Sequence, residues 1–239
     1  MRVKPNSLLA VLVGLTLNLG LTATAHAALQ GRDLNGSAGS FEAYYDTDLN
    51  ITWLADANVN GPMTWATANT WAANLSFYNP LTNQTIDDWR LPTTTDTGAP
   101  GCDFAYSGTD CGYNVDTASS EMAHLYFTEL GNLSYYTTTG ADSGAFAGGS
   151  NPNSTLDNVG PFTNFQSDGY WSGTEYAPNR SDAWHFNTGY GYQGGGDKTN
   201  IFYALAVRPG DVAAVPEAQT YALMLAGLGL IGWRARRRG

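Results

Sequence analysis

The chain has 239 residues, with 11 Lys and Arg against 21 Asp and Glu, and a formal net charge of −10 at pH 7. Six of the basic residues lie at the two ends, so residues 28–214 carry five (Arg32, Arg90, Arg180, Lys198, Arg208) against 20 acidic ones, a net charge of five minus 20, or −15. Such a body excludes nucleic acid and other polyanions as direct partners, because binding them needs clustered Lys and Arg, and its 13% aromatic content excludes a disordered chain.

Residues 1–27 read as a secretory signal peptide. Arg2 and Lys4 come first, an apolar stretch runs from Leu8 to Leu21, and the small-x-small triplet Ala25-His26-Ala27 follows. The mature chain is expected to start near Ala28, outside the cytoplasm. Residues 28–214 then make one domain, long enough to bury a core.

Residues 41–46 (FEAYYD) and 49–56 (LNITWLAD) alternate like strands, with a turn at Thr47-Asp48. In residues 64–75 (TWATANTWAANL), Trp65, Ala68, Ala72 and Leu75 recur at helical spacing, which predicts an amphipathic helix. Residues 89–96 (WRLPTTTD) are extended and stopped by Pro92. A Gly- and Asp-bearing loop spans 96–117 and holds both cysteines, Cys102 and Cys111. An oxidising compartment and a short separation favour a disulfide between them. The spacing is not Cys-x-x-Cys, and the mature histidines are only His124 and His185, so a redox or metal pair has no support.

A second helix is predicted at 119–130, capped by Ser119 or Ser120, with Met122, Leu125, Tyr126 and Leu130 as its buried stripe and Gly131 as its stop. Residues 137–158 read as a polar surface loop. Three strand-like pieces follow at 170–176, 182–188 and 201–209, separated by turns rich in Gly, Pro and Asn. Two helices followed by a clustered antiparallel sheet is an α+β pattern.

The end of the chain mirrors the start. The run 218–233 is apolar or small in most positions, only 16 residues long, and followed by Arg234, Arg236, Arg237 and Arg238. A full span needs roughly 20 residues, so this is a short transmembrane helix. Its arginines stay on the cytoplasmic side and leave the body outside. Val215-Pro216-Glu217, the apolar helix and the arginine cluster together resemble the PEP-CTERM sorting signal over residues 215–239. Ala218 stands where the motif has a second proline. The resemblance implies processing by an exosortase, a membrane cysteine protease of bacteria that make extracellular polysaccharide. It also implies a transient inner-membrane anchor and delivery to the cell surface or extracellular matrix.

A second resemblance covers roughly residues 49–209. A Trp-x-x-Ala helix, Trp89-Arg90-Leu91-Pro92-Thr93, Tyr170-Trp171-Ser172 and a last strand with Val207-Arg208-Pro209 resemble, in that order, the Lcl C-terminal domain family, named from a bacterial collagen-like adhesin. It implies a C-type-lectin-like fold, also used by formylglycine-generating enzymes. Those enzymes use a late cysteine pair, and no cysteine follows Cys111 here.

No nucleophile constellation is visible, and His124 and His185 have no partner evident in sequence. Arg90 and Arg208 are expected to be structural, held by carboxylates such as Asp87, Asp88 or Glu121, or by carbonyls. No cofactor is required, although calcium stays open. Asp56, Asn58 and Asn60, with Gly61 at the sixth position, resemble the start of an EF-hand loop, but its twelfth position is Thr67 rather than Glu. Trp65, Trp71, Trp89, Trp171 and Trp184 are expected in the core. Tyr190 and Tyr192, with Tyr106 and Tyr113, are the candidates for stacking on a sugar. The expectation is an exported, non-catalytic binding or structural protein. Its partners would be an exosortase and either extracellular polysaccharide or another surface protein. The alternative is an extracellular enzyme on the same fold.

Overall fold

The computed structural model describes residues 29–37, 39–99, 102, 110–148 and 154–212. The signal peptide at 1–27 and the sorting segment at 215–239, with Val215, Pro216, Glu217 and its four arginines, lie outside the described residues. Among those described, no helix is long and apolar enough to cross a membrane.

Sheets dominate, and the helices are short. β1 (Gln30–Arg32), β2 (Ala43–Asp46), β3 (Ile51–Leu54) and β10 (Val207–Pro209) form one antiparallel sheet in the order β1-β2-β3-β10. The predicted turn joins β2 to β3. Asp46 Oδ1 accepts from the backbone N–H groups of Asp48 and Leu49, both at 3.0 Å, and Asn50 takes a positive φ. α1 (Trp65–Ala73) buries Ala68 and Ala72, as the stripe predicted. β4 (Phe77–Asn79) and β5 (Gln84–Ile86) make a hairpin.

A second four-stranded sheet has the order β6-β9-β8-β7, from β6 (Gly112–Tyr113), β7 (Gly169–Glu175), β8 (Asp182–Asn187) and β9 (Tyr192–Asp197). Here the structure departs from expectation. The third predicted strand, at 201–209, meets β7 only in a single parallel bridge between Tyr203 and Tyr170; its end becomes β10 and pairs with β3 in the other sheet. The glycine-rich stretch after Tyr192, which reads as a turn, takes its place as β9. The reason is steric. A Cβ at Gly194 would collide with the Tyr192 hydroxyl, and Gly195 and Gly196 lie under the rings of Tyr176, Phe202 and His185. The bare strand is a floor on which aromatic rings lie, and that packing overrides the weak strand preference of glycine.

The second predicted helix also differs. Ser120 caps it, accepting from the Ala123 N–H at 3.2 Å. After α2 (Glu121–Ala123) the chain widens into a π-helix (His124–Glu129), in which the Leu130 N–H donates to the Leu125 carbonyl at 2.9 Å. Met122, Leu125, Tyr126 and Leu130 are all buried. Within 137–158, the stretch read as surface loop, α3 (Ala145–Gly148) is a single short turn, and Ser154, Thr155 and Leu156 are buried. Tyr126 Oη draws that end inward by donating to Thr155 Oγ1 at 2.6 Å.

The core is aromatic. Trp53, Trp171, Trp184, Tyr126, Tyr170 and Phe186 are among its largest fully buried side chains. Trp89 is buried with them, while Trp65 and Trp71 pack at its margin. Trp171 Nε1 donates to the Met63 carbonyl at 2.8 Å, so the ring is buried and its polar atom is satisfied. Arg90 forms a two-pronged ion pair with Glu121, both bonds at 2.7 Å, and Arg208 Nε donates to the Asp87 carbonyl at 3.0 Å. Cys102 and Cys111 are bonded, with Cα atoms 4.8 Å apart, and pack on Tyr176 and Trp184.

Candidate functional site

The edge of the second sheet gathers the tyrosines. β6 pairs with β9 in a register that sets Tyr113 opposite Tyr192, with ring centroids 5.6 Å apart. Tyr136 stands edge-on to Tyr113 at 5.1 Å, and Tyr135 stands edge-on to Tyr136 at 4.6 Å. Phe146 meets Tyr135 at 4.7 Å and Tyr190 at 5.4 Å. Six rings from four separate segments thus form one continuous face.

Short-range chemistry fixes this face. The Tyr135 N–H donates to the Tyr190 carbonyl at 2.8 Å, and Ser134 Oγ donates to the Gly191 carbonyl at 2.7 Å. Gly191 has a φ of +61°, and a Cβ there would come within 2.7 Å of Ser134 Cα, so the two loops can touch only because it is glycine. Asn114 Nδ2 ties the Tyr136 carbonyl at 2.9 Å.

Tyr190 is the outermost ring, 47% exposed. Tyr192 is half-buried, and desolvation raises its hydroxyl above the usual tyrosine range, with the Tyr176 charge adding to the effect. The two tyrosines singled out in the sequence are therefore unlike, one an open ring and the other a wedge under the face. Tyr106 lies outside the described residues. Tyr135, Tyr136 and Phe146 were missed. The only trace of them in sequence is the Tyr-Tyr doublet after the second helix. Rings held in a row can stack on the apolar faces of sugar rings.

The calcium candidates sit elsewhere. Asp56 Oδ1 accepts from the Asn58 N–H at 2.9 Å and from Asn164 Nδ2 at 3.1 Å, and Asp56 borders an apolar pocket of about 410 Å³ that includes Phe41, Tyr44 and Phe77. The Asn60 side-chain carbonyl, with its amide turned toward the indole, accepts from Trp71 Nε1 at 2.8 Å.

The histidines part company. His185 is buried in β8, stacked on Phe202 at 4.6 Å, and its Nδ1 has no hydrogen-bond partner among the described residues. Burial pushes its pKa down to about 4, against weaker upward pulls from a hydrogen bond with Gly194 and the Asp168 charge. His124 sits with two carboxylates, Glu129 five residues on and Asp46 from the far end of β2.

Residues 214–238 match the family model of the PEP-CTERM protein-sorting motif. That motif marks an exported protein, sorted and processed by an exosortase, that is anchored transiently in the membrane on its way to the surface. Among curated proteins nothing matches the chain.

Proposed function

We propose that the exported body is a non-catalytic binding module of the extracellular matrix, with a C-type-lectin-like fold, and that it holds extracellular polysaccharide on the six-ring face. The observation that carries this reading is the face itself: Tyr113, Tyr135, Tyr136, Phe146, Tyr190 and Tyr192 in continuous contact at the edge of a sheet. The net charge of −15 over residues 28–214 favours a neutral glycan over an anionic one unless cations bridge the two. The lectin-like reading draws support from the contacts among the segments that resemble the Lcl family. Trp65 Nε1 donates to the Ser172 carbonyl, Ser172 Oγ to the Pro92 carbonyl, and Arg90 and Val207 exchange backbone bonds.

The second reading, an extracellular enzyme, draws on the grouping of Asp46, His124 and Glu129. Their side chains are 0, 11 and 1% exposed, which presents almost no surface to a substrate. The test is retention of the surface-released protein on the polysaccharide of the cells that make it. Tyr190→Ala and Tyr135→Ala should each cut retention about tenfold, near 1.4 kcal/mol, with melting unchanged in the exposed Tyr190 variant. Retention that both variants leave intact would sink the reading.

A further inference from the structure

Asp46 ends β2, and His124 and Glu129 open and close the π-helix packed against it. In an α-helix, residues five apart point roughly 140° away from each other. The widened turn, with its i to i+5 bonds, brings them onto one side. His124 Nε2 lies 3.2 Å from Glu129 Oε1 and 3.8 Å from Asp46 Oδ2, and one ligand atom from each residue falls within 4.8 Å of the others.

Two buried carboxylates leave a net negative charge even if the imidazole is protonated. The body's five cations are engaged elsewhere. Arg32 pairs with Asp211, Arg90 with Glu121 and Lys198 with Glu175, Arg180 acts on Glu175, and Arg208 bonds backbone carbonyls. A second, independent observation points to a missing partner: Glu129 Oε2 is buried and has no hydrogen-bond partner among the described residues. Such an atom is costly unless something completes it.

We infer that Asp46, His124 and Glu129 form a binding site for a divalent transition-metal ion of the zinc class, which clamps the β2–β3 turn to the π-helix. One imidazole and two carboxylates suit zinc, while calcium takes six to eight oxygens. Tetrahedral zinc, with bonds of about 2.0–2.2 Å, sets its ligand atoms roughly 3.3–3.6 Å apart, close to the separations His124 makes here. The outer contacts are those of a supported site. Trp53 Nε1 donates to Asp46 Oδ2 at 3.3 Å, and two backbone N–H groups hold Oδ1.

The test uses the mature exported protein, stripped with chelator and titrated with zinc by calorimetry, beside Glu129→Gln and His124→Gln. One zinc per chain is expected, with affinity reduced at least about tenfold in each variant and a higher melting temperature only in the zinc-loaded wild type. X-ray absorption of the zinc-loaded wild type, which needs no variant, should show one imidazole among oxygen ligands near 2.0 Å. Absence of stoichiometric zinc binding, affinity unchanged in folded variants, or a spectrum with sulfur or several imidazoles would overturn the inference. So would calcium binding without zinc binding that is lost in Asp56→Asn.

Discussion

The molecule uses aromatic side chains in two ways, and the second sheet holds both. On β7 and β8, Tyr170, Trp171, Trp184 and Phe186 are fully buried, with the indole nitrogens of both tryptophans satisfied. At the β6–β9 edge a few ångströms away, rings of the same chemistry stand in contact with one another but only half-covered. Residue type does not separate the two groups. What does is the cover above them: on β7 and β8, Phe186 meets Tyr126 and Phe127 of the π-helix, Tyr170 meets Phe165 and Tyr203, and Trp171 meets Phe202, while the edge rings meet mainly one another.

Trp171→Ala would break this comparison most forcibly. It should cost about 3–5 kcal/mol, enough to unfold a marginal domain, as read by thermal or denaturant melts. A Trp171→Ala protein that melts normally yet loses polysaccharide retention would move the ligand surface to the inner rings.

His185 tests the inner group by pH. Unfolded, it takes up a proton below about pH 6.5; folded, not until about 4. Between those values the unfolded state binds more protons, so stability should fall as pH drops through this window, by an amount of order 3 kcal/mol. In His185→Phe the acid limb should flatten. An acid limb unchanged by that substitution would place the titrating group elsewhere.

The disulfide anchors the loop beside Trp184. Replacing both cysteines with serine should cost about 2–3 kcal/mol by loop entropy, measured by melting with and without reductant. Within the outer group, Tyr192→Ala should lower stability by about 1 kcal/mol because its ring is half-covered, whereas Tyr190→Ala should stay within about 0.5 kcal/mol. Equal stability effects at the two positions would erase the distinction between wedge and open ring.

Where side chains declare their own burial, the sequence was readable. Ala68 and Ala72 at helical spacing placed α1, and aromatic runs between Gly-, Pro- and Asn-rich turns placed β7 and β8. Local reading failed where a distant partner decides. Tyr192-Gln193-Gly194-Gly195-Gly196 reads as a turn, because the rings that make glycine necessary come from Tyr176, His185 and Phe202. The pairing of β10 with β3 depends on a register more than 150 residues long in sequence separation. The π-helix was invisible for a different reason. Its buried stripe fits an ordinary helix, and a His and a Glu five apart carry no periodic signal. Of the six-ring face, Tyr113, Tyr190 and Tyr192 were named from sequence, while Tyr135, Tyr136 and Phe146 needed the loop contacts to bring them in.

The pairing of β3 with β10 also sets a schedule. Val207 is fully buried, exchanges backbone bonds with Arg90, and sits opposite Trp53, while Asp211 grips Arg32 at the end of the first strand. A chain delivered across a membrane from its N-terminus cannot complete this sheet while residues 207–211 are still inside. Until then the early strands must wait, with Trp53 uncovered, for a partner at the far end. The sorting motif begins at residue 214, just past buried Val212. The last strand and the sorting motif therefore emerge close together in export, and the exosortase meets a body that has only then become able to close.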